Sequence, residues 1–382
     1  MSQACRRLGT RRSRLVFFAP SPSEPGGAQR RARLLADALA ERGWKVLIIG
    51  RSVGGKRFSL RRHGRVQVLE VPGYGRRRLG ALAFLATGVF LGIAAGIRGS
   101  GYMALQLSSP ATAAALCGLV ARKPFVVMSS TSGALSETAL LRGCGRGAAR
   151  RALLRRAAQL VGQTDEAVRE LSSVLPGTPV VALPNPVAAV PVPPLSGAVR
   201  VAFSGRLSEE KDLPRLLTAW EVLVSERPDA CLTLIGAGSA HRSVESELRA
   251  TVARRPGLRA SVRFTGWLPD PSPEVAAADV FVFPSLSEGM SNALLEACAL
   301  GRVVVASDIE ANVEILGSGY PLLFAAGDAD ELLGALRRAL DDDALRVRCR
   351  ELIAERLDRF SPVTIAGRLE LAFLDADRTR HQ

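Results

Sequence analysis

The chain has 382 residues, of which 47% are hydrophobic and 23% are charged, and its formal net charge is +15. This balance excludes a disordered or fibrous chain. The length exceeds what a single hydrophobic core usually organises. Two α/β domains of about 100–200 residues each, with a cleft between them, are the natural division.

The positive charge is concentrated in the first half. Residues 1–197 hold 29 Lys and Arg against 8 Asp and Glu, whereas residues 198–382 hold 22 against 28, so the net charges are +21 and −6. Such asymmetry is typical of a surface that faces nucleic acid or the anionic inner leaflet of a membrane. An arginine-rich composition without a specific partner explains the charge equally well.

The cysteines and histidines do not predict a metal site. Six Cys and three His are spread along the chain without a C-x-x-C pair, so neither a zinc site nor a disulfide scaffold is supported. Cys117, Cys231 and Cys298 lie in apolar runs, where a thiol usually behaves as a small buried hydrophobe. The default expectation is a reducing, cytoplasmic compartment.

In the first half, short apolar runs alternate with segments of helical periodicity. LVFFAP (15–20) predicts a strand, AQRRARLLADALAERG a helix that ends at Gly43, and KVLIIG (45–50) the strand that completes a βαβ unit. Further strands are predicted at 65–71, 102–107, 124–128, 158–164 and 179–183. They lack strict alternation, as parallel strands covered on both faces do, so this half is expected to be doubly wound.

The stretch LGALAFLATGVFLGIAAGI, residues 79–97, contains no charge and is flanked by arginines. It is barely long enough to span a bilayer, and it lies between candidate strands of one sheet. We therefore expect a buried or interfacial helix and not a membrane span. We also expect no signal peptide, because the basic start of the chain runs directly into a strand.

Residues 183–197, LPNPVAAVPVPPLSG, contain five prolines and predict an interdomain linker. The same alternation then restarts, with predicted strands at 199–205, 231–236, 261–266, 279–285 and 302–307. Helices are predicted at about 212–225, 243–255, 291–300, 328–340 and 362–376. The predicted architecture is two Rossmann-like, doubly wound domains. They comprise residues 1–190 and 191–360, and residues 361–382 form a helix that packs back towards the first domain.

The segment FVFPSLSEGMSNALLEACALG carries the most informative motif. A helix that begins near Ser291 would offer a seat for a diphosphate at its N-terminus. The backbone N–H groups involved belong to Gly289, Met290, Ser291 and Asn292. Glu288 precedes the helix and Glu296 lies within it, so one carboxylate can sit beside the phosphates while the other meets a diol such as a ribose. Alternatively, Glu288 pairs with the helix dipole and Glu296 is a surface residue.

The turn FSGRLSEEKD follows the first predicted strand of the second half and contains Gly205, Arg206 and Lys211. Ligands bind at the carboxyl ends of the strands in open parallel sheets. Two cations there can neutralise the charge that develops on a departing diphosphate. Arg and Lys in a polar turn can also be simply solvated.

Three glycine-containing turns are weaker signals. Gly26 and Gly27 let the backbone approach a ligand in the first half, or are simple turn residues. LIGAGSA supplies Gly236 and Gly238 but no G-x-G-x-x-G spacing. FTGWLPD offers Gly266, Trp267 and Leu268 as a wall for a nucleobase, although Trp267 could equally be a core residue.

Together these motifs resemble family 4 of the retaining GT-B glycosyltransferases, and the similarity covers nearly all of the chain. The matching segments are PGGAQ, SGRLSEEKD, LIGAGS, FTGWLPD and PSLSEGMSNALLEACALGRVVVASDIEANVEIL. The resemblance implies a GT-B fold in which Gly27 approaches the donor phosphates and Arg206 and Lys211 bind the diphosphate. It also implies that Glu288 and the following backbone hold the donor sugar and that Glu296 takes the ribose hydroxyls.

The sequence departs from the family pattern after the strand PFVVM, where many relatives carry a histidine. Here MSSTSGALSE places Ser130, Thr131 and Gly133 in that region, and we expect these residues to line the acceptor side. Similar serine- and glycine-rich segments in relatives that act on bacterial surface polysaccharides indicate cell-envelope substrates.

The resemblance implies hexose transfer with retention of configuration from a nucleotide diphosphate sugar, with UDP favoured over GDP. No cofactor or metal is implied. The expected partners are a lipid-linked or saccharide acceptor and, through the basic half and residues 79–97, an anionic membrane at its inner face. Alternatives are a non-hydrolysing sugar-nucleotide epimerase, a basic nucleic-acid-binding protein and a dinucleotide-dependent oxidoreductase. The sequence has neither the interleaved aromatic residues nor the recognition motif expected of a nucleic-acid-binding protein. It also lacks the glycine fingerprint of a dinucleotide-dependent oxidoreductase.

Overall fold

The computed structural model describes residues 14–22, 26–52, 58–72, 77–97, 99–129, 137–143, 145–192, 199–238 and 243–381. The chain divides into two compact units. Unit 1 comprises Met1–Pro186 together with Pro362–Gln382, and unit 2 comprises Val187–Ser361. Each unit contains a mainly parallel sheet with helices packed against it, which confirms the predicted fold of two doubly wound α/β domains.

Unit 1 is built on an eight-stranded sheet with the order β3-β4-β2-β1-β5-β6-β7-β8. Its strands are β1 (Arg14–Ala19), β2 (Lys45–Arg51), β3 (Ser59–His63), β4 (Val66–Val71), β5 (Gly101–Ala104), β6 (Phe125–Met128), β7 (Gln159–Gly162) and β8 (Val180–Ala182). All neighbours pair in parallel except β3 and β4, which are antiparallel. The strand order reverses direction between β1 and β5, so this pair forms the topological switch point of the sheet.

Five α-helices lie among the described residues of the first part of unit 1. They are α1 (Gly27–Glu41), α2 (Arg77–Gly96), α3 (Ser109–Ala121), α4 (Arg146–Leu154) and α5 (Asp165–Val174). The apolar side chains of the unit form two separate clusters, one that includes Leu35 of α1 and one that includes Phe84 of α2. Helices therefore cover both faces of the sheet, which explains why its central strands are continuous apolar runs.

The predicted apolar helix at residues 79–97 is α2, which packs against α3 and the neighbouring strands. A Cβ atom added to Gly92 would lie 2.7 Å from Phe18 Cζ and 2.9 Å from Cys117 Sγ, so the helix backbone packs closely on its neighbours. Among the helices that the structure describes, none is both long and apolar enough to cross a membrane.

Unit 2 is built on a six-stranded sheet with the order β11-β10-β9-β12-β13-β14, and all of its pairs are parallel. The strands are β9 (Arg200–Ser204), β10 (Cys231–Ile235), β11 (Val262–Gly266), β12 (Val280–Phe283), β13 (Val303–Ser307) and β14 (Leu323–Phe324). The helices are α6 (Leu213–Glu226), α7 (Glu245–Arg254), α8 (Pro256–Ser261), α9 (Ser272–Ala276), α10 (Asn292–Ala299), α11 (Glu310–Leu316), α12 (Ala329–Asp341) and α13 (Asp343–Leu357). The switch point lies between β9 and β12.

The last helix, α14 (Pro362–His381), belongs to unit 1 and packs against α1. Its Glu370 is buried and accepts hydrogen bonds from Arg42 Nε at 2.7 Å and from Trp44 Nε1 at 3.0 Å. Leu369 and Phe373 of the same helix are fully buried in the α1 cluster. Two chain crossings therefore connect the units, one near Pro186 and one near Pro362.

One expectation about the cysteines is wrong. Cys117 and Cys298 are buried as predicted, and burial raises the pKa of each thiol to about 12. Cys231 is exposed, because it is the first residue of β10 and its side chain lies at the end of the strand, outside the core.

Candidate functional site

The carboxyl ends of β9 and β12 meet at the switch point of unit 2, and the two strongest sequence motifs follow these strands. The turn after β9 carries Arg206 and Lys211, and the loop after β12 carries Glu288. The two segments are joined by a backbone hydrogen bond in which the Leu286 N–H donates to the Glu210 carbonyl oxygen at 2.8 Å. The sheet topology therefore brings together two motifs that are 77 residues apart in sequence.

Lys211 and Glu288 form an ion pair, in which Lys211 Nζ donates a hydrogen bond to Glu288 Oε1. Their side chains are only 9% and 13% exposed, so bulk solvent screens this pair less than a surface pair. Lys211 Nζ also lies 5.0 Å from the centroid of the Phe283 ring. An ammonium group has three donor hydrogens, and Glu288 takes one of them, so Lys211 can also bind an anionic ligand.

Arg206 lies in a different environment, because its side chain is 63% exposed. Its Nη2 contacts Glu210 Oε1 at 3.3 Å, and the same oxygen accepts a hydrogen bond from Ser208 Oγ at 2.7 Å. Partial burial alone would raise the pKa of Glu210. Hydrogen bonds to the Glu210 carboxylate from Ser208 and from the backbone of Glu210 itself oppose this effect, as do the nearby charges of Arg206 and Lys211. Together they lower the pKa of Glu210 below its ordinary value. Of the two predicted cations, Lys211 is therefore buried in a preorganised ion pair, whereas Arg206 is exposed to solvent and pairs with Glu210.

Helix α10 begins directly after the Glu288 loop. Ser291 is its N-cap, and the Ser291 hydroxyl accepts a hydrogen bond from the Leu294 N–H at 3.3 Å. The N–H groups of Asn292 and the next residue have no acceptor within the helix, since they belong to its first turn. Met290 is buried, whereas Gly289, Asn292 and Glu296 are half-buried. The N-cap of this helix, Ser291, thus lies three residues after Glu288 in sequence, and the helix itself begins at Asn292.

Three of the glycines predicted to bind the donor, Gly205, Gly238 and Gly266, lie at the carboxyl ends of strands of the unit 2 sheet. Gly205 follows β9, and a Cβ atom there would come within 3.1 Å of Phe203 and 3.8 Å of Lys211 Cε. Gly266 ends β11 with a φ of 72°, a conformation that favours glycine. The Gly238 N–H already donates to Glu245 Oε2 at 2.6 Å, and this bond lowers the pKa of Glu245.

Trp267 and Leu268 were predicted to form a wall for a base. Trp267 is 56% exposed, so the alternative that it is a core residue is wrong. Leu268 packs partly buried against the core of unit 2. Both follow β11, which is two strands away from β9 in the sheet.

The predicted residues of unit 1 are less fully described. Gly27 is the first residue of α1 and is exposed. Ser130, Thr131 and Gly133 lie outside the described residues, so their acceptor-side role stays a prediction. Unit 1 does hold a buried cation that the motifs did not indicate, Arg31 of α1.

Arg31 donates from Nη1 to Asn185 Oδ1 at 3.1 Å and from Nη2 to the Leu105 carbonyl oxygen at 2.7 Å. Its Nε is buried and has no hydrogen-bond partner among the residues that the structure describes. Burial lowers the pKa of Arg31 to about 10, and the nearby Glu137 charge opposes that shift. The guanidinium therefore remains charged at neutral pH.

Sequence reasoning missed three polar residues that surround the Glu288 loop: Glu210, Ser307 and Asn312. Glu210 was only part of a matching motif, and its link to Leu286 depends on the sheet order. Ser307 ends β13, and the rule that polar residues collect at the carboxyl ends of parallel strands could have identified it. Asn312 of α11 is fully buried, which the sequence pattern alone does not indicate.

Two family models match the chain. The model described as Glycosyl transferase 4-like domain matches residues 26–186, and the model described as Glycosyl transferases group 1 matches residues 198–342. The second match contains the Lys211–Glu288 pair and α10. The two matches follow the division into units closely.

Curated relatives match part of the chain. A phosphatidyl-myo-inositol mannosyltransferase of Mycolicibacterium smegmatis is 33% identical over 174 residues, which cover 44% of this chain and 43% of the relative. The lipopolysaccharide core biosynthesis glycosyltransferase LpsE of Rhizobium meliloti is 32% identical over 152 residues, which cover 40% of this chain and 42% of LpsE. The chain thus spans less than half the length of each of these two relatives.

Solved structures share the fold over nearly the whole chain. HepE of Anabaena in complex with UDP and glucose superposes with a TM-score of 0.73 at 19% identity, and the match covers 93% of this chain and 98% of HepE. Sucrose-phosphate synthase from Thermosynechococcus elongatus superposes with a TM-score of 0.76 at 20% identity, covering 96% and 100%. The TM-scores establish the shared fold, and at these identities the matches show the fold alone.

Proposed function

Because the chain belongs to family 4 of the GT-B glycosyltransferases, we propose that it transfers a hexose-type sugar from a nucleotide diphosphate sugar to an acceptor with retention of configuration. UDP is the favoured nucleotide and GDP the alternative. The observation that carries the proposal is the ion pair between Lys211 and Glu288 beside the start of α10. It supports a seat for a diphosphate and its sugar at the switch point of unit 2.

In this proposal Lys211 and the N-terminus of α10 stabilise the diphosphate as it leaves. Lys211 has donor hydrogens beyond the one that Glu288 accepts, and a helix N-terminus favours an anion. A preorganised cation that is only slightly exposed stabilises developing charge better than a solvated one. Arg206 swings in from solvent to the same diphosphate, and no metal ion is required.

Glu288 then orients the donor sugar, and Glu296 binds the ribose hydroxyls. The bond from the anomeric carbon to the diphosphate oxygen breaks, and the diphosphate keeps the electron pair. The acceptor oxygen forms its bond to the same face of the anomeric carbon, and its proton passes to the leaving phosphate oxygen. This front-face substitution accounts for retention without a covalent intermediate on the protein.

The acceptor is proposed to be lipid-linked or a saccharide in cell-envelope synthesis. The names of the relatives support this class, because they include a mannosyltransferase for phosphatidyl-myo-inositol and a lipopolysaccharide core glycosyltransferase. We place the enzyme in the cytoplasm, in peripheral contact with the inner face of the membrane. Nucleic acid is not a proposed partner.

Membrane contact is assigned to one face of α2. Leu82, Phe90 and Ile97 are more than half exposed, and they recur every seven or eight residues, so they lie on one side of the helix region. An exposed apolar helix face flanked by arginines in the sequence is typical of interfacial binding to anionic lipid. Arginine side chains near anionic headgroups each add about 1 kcal/mol to binding.

Ligand-induced stabilisation of the full chain tests the donor site. We expect UDP, and less so GDP, to raise the Tm, whereas ADP has little effect. The Lys211→Ala variant should lose this response. Arg337→Ala is the matched control, because Arg337 forms an exposed ion pair with Glu226 at 2.9 Å at the far end of α6. Equal responses of both variants to UDP would overturn the assignment.

The stereochemistry can be tested without the acceptor. With water as a slow acceptor, UDP-glucose should first yield α-glucose, which proton NMR distinguishes from the β-anomer. Initial release of β-glucose would refute retention. Conversion of the donor to an epimeric nucleotide sugar would identify the chain as an epimerase instead.

Flotation with liposomes tests the membrane contact. We expect the protein to float with vesicles of anionic phosphatidylglycerol more than with neutral phosphatidylcholine, and Phe90→Ser to reduce this binding. Val347→Ser is the control, because Val347 is an exposed apolar residue of α13 in unit 2. Unchanged flotation of Phe90→Ser would contradict the assignment to α2.

A further inference from the structure

A chain of buried hydrogen bonds connects α11 to the loop that carries Glu288. We propose that Ser307 and Asn312 are positioning residues for Glu288, an inference that rests on the proposed function. They hold the loop after β12 in the conformation that presents this carboxylate to the donor sugar. Neither residue touches the donor in this proposal, so both act through the backbone of the loop.

One peptide group, which joins Ser285 to Leu286, is held from both sides. Its carbonyl oxygen accepts a hydrogen bond from Ser307 Oγ at 2.5 Å. Its N–H donates to the Glu210 carbonyl oxygen at 2.8 Å. The peptide plane is therefore held on one side by the end of β13 and on the other by the turn after β9. Because Glu288 follows three residues after Ser285, the orientation of this plane sets the direction in which the loop leaves the sheet.

The Ser307 hydrogen bond to the loop has a defined direction. Asn312 Nδ2 donates to the Ser307 carbonyl oxygen at 3.0 Å and to Ser307 Oγ at 3.1 Å. A serine hydroxyl has a single hydrogen to donate. Because its oxygen already accepts from Asn312, that hydrogen is directed to the Ser285 carbonyl. Asn312 thus sets the polarity of the whole chain of hydrogen bonds.

Ser285, Ser307 and Asn312 are all fully buried, so water cannot replace a lost bond without entering the protein. The loop beyond them is only partly buried and depends on this anchor for its geometry. A rigid support of this kind is what a binding carboxylate needs to be held within a fraction of an ångström of its working position.

The test compares two serines with matched bonding. Ser307→Ala removes the hydroxyl that reaches the loop. Ser261→Ala is the control, because Ser261 is also buried in unit 2, accepts from Trp220 Nε1 at 3.0 Å and donates to the Gly257 carbonyl at 2.8 Å. Each variant loses a buried hydroxyl with two hydrogen bonds, so a purely structural role predicts similar losses of Tm and no other difference.

The readout is the ratio of the Kd values for UDP and UDP-glucose, measured by calorimetry on the full chain. We expect Ser307→Ala to weaken UDP-glucose binding about tenfold, as expected for one buried hydrogen bond, and UDP binding by less than about twofold. Ser261→Ala should leave the ratio unchanged. Asn312→Asp, which is isosteric but accepts where Asn312 donates, should shift the ratio in the same direction as Ser307→Ala.

Lys211→Ala in the same assay distinguishes failure of the proposed donor site from failure of the positioning role of Ser307. If Lys211→Ala loses both ligands while Ser307→Ala keeps the wild-type ratio, the donor site stands and the positioning role is wrong. If Lys211→Ala binds both ligands normally, the donor site itself is wrong. Support for the positioning role requires loss of binding in Lys211→Ala together with a changed ratio in Ser307→Ala.

Discussion

Each unit contains a buried cation at its switch point, and the two cations are satisfied in different ways. Arg31 follows β1 and reaches the Leu105 carbonyl, just beyond β5. Lys211 follows β9 and reaches Glu288, beyond β12. The topological positions correspond, since β1 and β9 are the first strands of their sheets and pair with β5 and β12.

The acceptors differ in charge. Arg31 is buried and bonds two neutral oxygens, those of Asn185 and Leu105, so the guanidinium serves as a clamp within the fold. Lys211 bonds one carboxylate, retains donor hydrogens and lies beside a helix N-terminus. The same topology therefore holds a cation with neutral partners in unit 1 and, in unit 2, the cation that we propose to bind the donor diphosphate.

The largest expected effect is on turnover in Lys211→Ala. We expect the rate of UDP release from UDP-glucose to fall by about 100- to 1,000-fold, because one preorganised group that stabilises leaving-group charge is lost. A coupled assay for released UDP measures this rate, and Arg337→Ala should behave like the wild type. Turnover within about twofold of the wild type in Lys211→Ala would mean that Lys211 does not stabilise the leaving diphosphate.

Arg31→Ala should show the opposite pattern. We expect the free energy of unfolding to fall by about 3 kcal/mol, because Asn185 and the Leu105 carbonyl lose a buried donor. Urea denaturation measures this loss. Arg33→Ala is the control on the same helix, since Arg33 is exposed and pairs with Asp37 at 3.6 Å. Wild-type stability in Arg31→Ala would mean that Arg31 is not a clamp.

Arg206→Ala tests whether exposure reduces the contribution of a cation. We expect about tenfold weaker UDP binding, since a charge-assisted hydrogen bond is lost. The Tm should stay close to that of the wild type, because an exposed ion pair contributes about 0–1 kcal/mol. Calorimetric titration with UDP measures the effect, with Arg255→Ala, which loses an exposed pair with Glu221, as the control. An effect as large as that of Lys211→Ala would mean that preorganisation is unimportant.

The smallest effect concerns the cores below the two switch points. Burial raises the pKa of Cys117 in unit 1 and of Cys298 in unit 2 to about 12, so at pH 8 the thiolate fraction of each is about 10⁻⁴. We expect iodoacetamide at pH 8 to modify the exposed Cys231 and to spare these two buried thiols. Peptide mass spectrometry measures each site, and rapid labelling of Cys117 alone would show that unit 1 opens more readily.

Most strands of both sheets were predictable because parallel strands buried on both faces are continuous apolar runs. β3 (SLRRH) was missed because most of its residues are exposed at the edge of the sheet, so it has no apolar pattern. β14 was missed because it has only two residues. Helix α13 was missed because its buried residues are few, Cys349 and Ile353, and they define no continuous stripe.

The sequence predicted which loops form the candidate site but not the contacts between them. Strand ends and helix starts can be inferred from local patterns, so the segments around Lys211 and Glu288 were found. The ion pair between them depends on which strands are neighbours, and the same is true of the contact between Leu286 and Glu210. The support from Ser307 and Asn312 depends on burial and hydrogen-bond direction, which no sequence pattern encodes.

Helix α14 makes unit 1 discontinuous in sequence. A gene fragment that encodes only residues 1–186 would leave the surface that Leu369 and Phe373 cover open to water, and each such side chain is worth about 2 kcal/mol when fully buried. Trp44 and Arg42 would also lose Glu370 as a hydrogen-bond acceptor. Isolating the amino-terminal half for separate expression therefore requires grafting the final twenty-one residues onto it through a designed peptide bridge.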